Sequence, residues 1–175
     1  MRKLLVLVFC VLGLCAMSFA VGDDDDVVTL RANLRGSHEV PAINSDGTAT
    51  FRAVIHSDGT INFKVTFENL SSPLLVSHLH FGEVHVAGGV MIFLCGGDSQ
   101  PACPAATSGS FEGTITAANV TGPTGQGITA GDLASALRAV RQGAAYANMH
   151  STKFPGGELR GQVTVHRGGD DDHDN

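Results

Sequence analysis

Basic residues are scarce in this chain. Its 175 residues include 11 lysines and arginines against 17 acidic residues, a net charge of −6, and the basic ones are not gathered into a run. A chain of this charge with no basic run is a poor binder of nucleic acid. Tryptophan is absent while glycine occurs 22 times, a balance that disfavours long helices and favours many tight turns. Long apolar runs are missing too, with one exception. Leu4 to Leu14 follows Met1, Arg2 and Lys3 and precedes the small-residue site Ser18-Phe19-Ala20. This run is too short and too close to the N-terminus for a good membrane span, but it has the charged, apolar and cleavage regions of an export signal. Residues 1–20 are therefore expected to be a signal peptide, and the protein to be secreted or periplasmic with no membrane span in the mature chain. Without the leader, nine basic residues face 17 acidic ones, a net −8. The mature chain is then more polar than the overall mean hydropathy of +0.13 suggests.

Cysteine is also sparse. Cys10 and Cys15 fall in the leader, and Cys15 follows Leu14 rather than the small residue that lipid attachment prefers. Cys95 and Cys103 remain, separated by a Gly/Asp/Ser/Pro segment without the CxxC spacing of a thiolate metal site. In an exported chain this pair is expected to form a disulfide.

Both ends of the mature chain are acidic. Asp23 to Asp26 form an N-terminal run, so residues 21–27 read as a linker. Asp170, Asp171, Asp172 and Asp174 occupy a tail over 167–175. Like-charge runs of this kind stay solvated, which leaves one domain over 28–166. Within it the pattern is that of short strands. Ile61, Phe63, Val65 and Phe67 alternate with Asn62, Lys64, Thr66 and Glu68, the period-2 pattern of a half-buried strand. Ser57-Asp58-Gly59 joins this strand to Thr48–Ile55 as a hairpin. Further strands are expected at 27–34, 74–81, 90–94, 111–116, 144–150 and 158–166. Only Leu133, Ala136, Leu137 and Val140 recur at helical spacing, with Thr129 and Asp132 available at the start and Gly143 at the end. The expected fold is all-β: an antiparallel β-sandwich of about eight strands with one short helix near 130–142.

Histidines carry the chemistry. In a strand, His78 and His80 project from one face about 7 Å apart, while Leu79 and Phe81 face the other way. Two neutral imidazoles on one face suit copper or zinc. A third ligand must come from elsewhere, with His150 the first candidate and His85 or Glu83 behind it. The competing reading is a buried polar cluster in which each ring hydrogen-bonds to protein and no ion is held. Glu158 and Arg160 share a strand face and are expected to form a structural ion pair. No catalytic pair of carboxylates is evident, and Ser77 and Ser151 lack a nucleophile elbow. Asn69-Leu70-Ser71 and Asn119-Val120-Thr121 match the glycosylation pattern, which matters only in a host that glycosylates its exports.

Three stretches resemble the CHRD domain, the module named after its repeats in chordin. They are Glu39-Val40-Pro41 with Asp46-Gly47-Thr48-Ala49, then Ser77-His78-Leu79-His80-Phe81-Gly82, and finally Tyr146-Ala147-Asn148-Met149-His150-Ser151 with Pro155-Gly156-Gly157-Glu158-Leu159-Arg160-Gly161-Gln162. The similarity spans about 28–165. Ala42 and Ser151 depart from it, where proline and threonine are usual. Chordin's cysteine-rich growth-factor-binding modules have no counterpart in a chain with two mature cysteines. The resemblance implies an exported, single-domain protein of bacterial type, and a binding module more than an enzyme. Its partner would be a metal ion or another extracytoplasmic molecule. A looser likeness to copper/zinc superoxide dismutase covers only His78, His80 and His150, and implies at most a copper-only redox site. The third alternative is a structural surface or matrix protein without metal.

Overall fold

The computed structural model describes residues 27–97 and 100–167. The expected signal peptide, nearly all of the acidic linker, and the tail beyond residue 167 lie outside the described residues. Nine strands form between these limits: β1 (Val28–Arg35), β2 (Thr48–Ile55), β3 (Ile61–Glu68), β4 (Leu74–Phe81), β5 (Gly89–Cys95), β6 (Gly109–Ile115), β7 (Ala145–Ser151), β8 (Leu159–Gln162) and β9 (Thr164–Arg167). A single helix, α1 (Leu133–Arg141), precedes β7.

The alternation seen in the sequence sets which side of the sheet is dry. Ile61, Phe63, Val65 and Phe67 are buried and their neighbours on β3 are exposed. With Leu30, Leu34, Phe51, Leu79, Met149 and Leu159 they form one continuous core. Each such side chain contributes on the order of 1.5–3 kcal/mol when fully buried. The hairpin signal works as expected. Gly59 adopts φ +85°, which a residue with a Cβ resists. Asp58 Oδ1 accepts hydrogen bonds from the backbone N–H and hydroxyl of Thr60.

The all-β antiparallel class is as expected, with a difference in how the layers join. The strands run in the order β5-β4-β7-β8-β1-β2-β3-β6, with β9 also on β1, as one nine-stranded sheet that nearly closes into a barrel. Two separate sheets do not form because β8 pairs with β7 on one side and reaches β1 through Arg35 opposite Arg160. The single strand expected over 158–166 is divided at the buried Val163, after which β9 continues on β1 alone.

The helix is shorter than about three turns and starts later. Asp132, not Thr129, is its cap, accepting from the Ser135 N–H. At the other end Gly143 takes φ +74°. Its N–H donates to Val140 and that of Ala144 to Ala139, the paired bonds of a Schellman ending.

Cys95, at the end of β5, is bonded to Cys103. The two lie eight positions apart along the chain, so the bridge is expected to contribute ~2–3 kcal/mol by restricting the unfolded chain. Urea unfolding with and without reductant should show a difference in unfolding free energy of that size. An unchanged midpoint would mean that the loop adds nothing to stability.

Candidate metal centre

The site is built on two neighbouring strands. β4 and β7 pair antiparallel, with His80 opposite Tyr146, His78 opposite Asn148 and Val76 opposite His150. Cross-strand partners share a face, so this register puts His78, His80, Tyr146, Asn148 and His150 on one side. Leu79, Ala147 and Met149 turn to the other side, into the core. All seven residues of β7 are buried, because loops and neighbouring strands cover the histidine side as well.

The three histidines converge. The His78 ring centroid lies 4.6 Å from that of His80 and 4.6 Å from that of His150. One ligand nitrogen from each lies within 4.8 Å of the other two, the only such trio of His, Cys, Asp or Glu among the described residues. Three nitrogens around one zinc ion, each at about 2.0–2.1 Å, can be no more than about 4 Å apart. Small side-chain rotations must therefore draw the set inward for it to hold an ion.

Backbone carbonyls fix the tautomers. His80 Nδ1 lies 2.9 Å from the Gly88 oxygen, and His150 Nδ1 lies 3.0 Å from the Pro155 oxygen. A carbonyl only accepts, so each Nδ1 carries the proton and each Nε2 keeps its lone pair. Both Nε2 atoms and His78 Nδ1 are buried with no hydrogen-bond partner. Leaving three such atoms unpaired is costly in a folded protein. A carbonyl-held Nδ1–H behind a free Nε2 is also the arrangement that orients histidines towards metals. The donor set thus fits a first-row transition ion, and the three residues can hold one. The hydrogen-bonded cluster offered as the competing reading accounts for two of the six ring nitrogens.

Burial keeps the rings neutral. It pushes His78 down to about 3, helped by His80 and His150. It pushes His80 down to about 4, against the bond to Gly88. His150 is also lowered by burial, against the bond to Pro155. Neutral imidazole is the form that ligates.

A family model described as the CHRD domain matches residues 30–163. The chain belongs to the CHRD-domain family. No curated protein and no solved structure matches it significantly.

Residues from the CHRD stretches meet around the trio. Tyr146 lies between His80 and Arg160. Its ring is parallel to His80 at 4.6 Å, and the Arg160 guanidinium sits 3.5 Å over its other side. Asn148 donates from Nδ2 to Glu39 Oε1 at 2.5 Å and to the Leu159 carbonyl. Burial raises the Glu39 carboxyl above its ordinary range, with Asn148, Val40 and Arg160 acting against that. Gly157, at φ +129°, leaves room for Glu39, since a Cβ there would come within 2.7 Å of its Oε1. Gly88 presents its carbonyl to His80 at a point where a Cβ would lie 1.7 Å from the Phe81 oxygen. Tyr146 is legible as a site residue from period 2 alone, since it stands four positions before His150 on the same strand.

Two expectations are corrected. The ion pair between Glu158 and Arg160 does not form. Glu158 Oε1 accepts from the Ser45 hydroxyl and the Ser71 N–H, while Arg160 donates to the carbonyls of Glu83 and Val86. The two side chains leave the turn ahead of β8 in different directions, because Glu158 lies outside the strand's alternation. His85 and Glu83, the secondary ligand candidates, are exposed in the loop after β4 and are not part of the trio. Of the two glycosylation-pattern asparagines, Asn119 is buried and accepts from the Thr116 N–H.

Proposed function

We propose that this protein is an exported CHRD-domain binding module that holds a copper or zinc ion on His78, His80 and His150. The observation that carries the reading is the set of three unpartnered, buried nitrogens on those rings. A superoxide-dismutase-type enzyme would need a coordination position that small molecules reach from solvent. The three rings are 6, 9 and 8% exposed, which favours holding an ion over turning over a substrate on it.

Titration of the metal-stripped protein with copper(II) and with zinc is the test. At least one is expected to bind with sub-micromolar affinity and to raise the melting temperature. His80→Ala removes one of three ligands and should weaken binding by about 100-fold or more while the apoprotein remains folded. If neither metal bound in this range, or if His80→Ala bound as tightly as the parent, the metal reading would fall and the structural one would replace it.

A further inference from the structure

Residues far apart in the sequence build a cationic row on the outside of the sheet. Arg31 on β1 stands directly opposite Arg52 on β2, and Arg52 directly opposite Lys64 on β3. All three are exposed. Like charges placed directly opposite destabilise a sheet, so the row carries a cost that nothing in the fold requires. Among the described residues a single acid answers it: Glu112, opposite Lys64 on β6, with 3.6 Å between charged atoms. Adjacent strands lie about 4.8 Å apart, so the three cations span about 10 Å.

The row lies in a groove of about 640 Å³ in which Thr29, Asn62 and Thr114 flank the charges and Glu112 is the one carboxylate. Arg31 also borders a second groove of about 600 Å³, lined by His38, His85, His166 and the buried Arg160 and by no carboxylate among the described residues. The exposed row therefore runs from β3 to β1, where Arg31 borders both grooves. Arg31, Arg52 and Lys64 are not among the residues around the metal centre.

We infer that this face binds a linear acidic polysaccharide. Carboxylate or sulfate groups recurring along an extended chain match cations repeated at strand spacing, and arginine forks suit both groups. Threonine and asparagine beside the row offer partners for sugar hydroxyls. A nucleic acid fits less well. The one aromatic residue in the 640 Å³ groove, Phe63, is buried in the core, and the face offers no stacking platform for bases.

The test is binding of the full chain to heparin, to polygalacturonate and to duplex DNA at low ionic strength. The expected result is retention on one or both polysaccharides that weakens with salt. Arg31→Ala combined with Arg52→Ala should weaken it by about tenfold or more, and Glu112→Gln should tighten it. The double variant should melt no lower than the parent, since it relieves repulsion, so lost binding cannot be ascribed to unfolding. His80→Ala should bind as the parent does. The inference is overturned if the parent binds neither polysaccharide, if the double variant binds as tightly as the parent, or if DNA is bound as tightly as the polysaccharides.

Discussion

Acidifying the metal-free protein from pH 7 to pH 4.5 is expected to remove on the order of 4 kcal/mol of stability. Burial, with the neighbouring rings adding to it, holds His78 at about 3. Burial likewise holds His80 at about 4 and lowers His150. In the unfolded chain each of these groups titrates near 6.5. As the pH falls below that value, the unfolded state takes up protons that the folded state refuses, and the equilibrium moves towards unfolding. The stabilisation is complete above about pH 6.5 and declines as the pH drops towards the folded values, at no more than ~1.4 kcal/mol per pH unit for each histidine. Glu39 acts in the opposite sense. Its raised carboxyl protonates first in the folded state, so it gains stability on acidification and offsets part of the loss. Urea unfolding in the presence of a chelator at pH 7, 6, 5 and 4.5 gives the profile. His78→Gln, which removes one titrating ring, should make it shallower. A flat profile between pH 6.5 and 4.5 would show that the rings are not held neutral by burial.

Much of the sheet was legible because its strands are amphipathic. β2 and β4 fall at the boundaries expected from alternation and turn residues, and β1, β3, β5, β6 and β7 within two residues of them. What alternation does not encode is the closure. The backbone contact of Arg35 with Arg160, which makes one sheet of two layers, joins residues 125 positions apart and leaves no periodic trace. The helix start misled for a local reason. Thr129 and Asp132 both offer a capping oxygen, but residues 129–132 make a turn of their own, with the Asp132 N–H on the Thr129 carbonyl. Only Asp132 is then left at the helix mouth.

The histidine trio was legible in the same way, as two same-face residues on one strand and one on another whose register the sequence leaves open. The carbonyls that orient it were not. Gly88 and Pro155 act through their backbones, so no side-chain chemistry announces them. The cationic row shows the converse. A chain without a basic run still places Arg31, Arg52 and Lys64 side by side, because three strands align them in register. Charge patterning along a β chain therefore has to be read across strands, where an acidic total hides it.

Glu158→Ala is expected to be among the most damaging single substitutions, at ~3–5 kcal/mol. The residue is fully buried and, among the described residues, has no cation within ion-pair distance, so its charge rests on hydrogen bonds to Oε1 while Oε2 has no partner. Oε1 accepts from the Ser45 hydroxyl at 2.6 Å and the Ser71 N–H at 2.7 Å, and the residue's own N–H donates to the Met149 carbonyl. Burial alone would raise the carboxyl. The Ser151 side chain and the bonds from Ser45 and Ser71 outweigh it and bring it below its ordinary range. Its contribution is thus present above the unfolded value near 4.5 and is lost as the pH falls below it, in the lower part of the range over which the histidines act. The side chain fastens the segments ahead of β2 and β4 to the turn between β7 and β8. Alanine would leave the Ser45 hydroxyl and the Ser71 N–H without their acceptor around a cavity. Glu158→Gln keeps one acceptor oxygen and should cost less, ~1–2 kcal/mol. Urea unfolding of the two variants separates these mechanisms. If Glu158→Ala lay within about 1 kcal/mol of the parent, the carboxylate would not be the clamp described, and the Pro155-Gly156-Gly157-Glu158 turn would owe its form to the glycines and the Met149 bond alone.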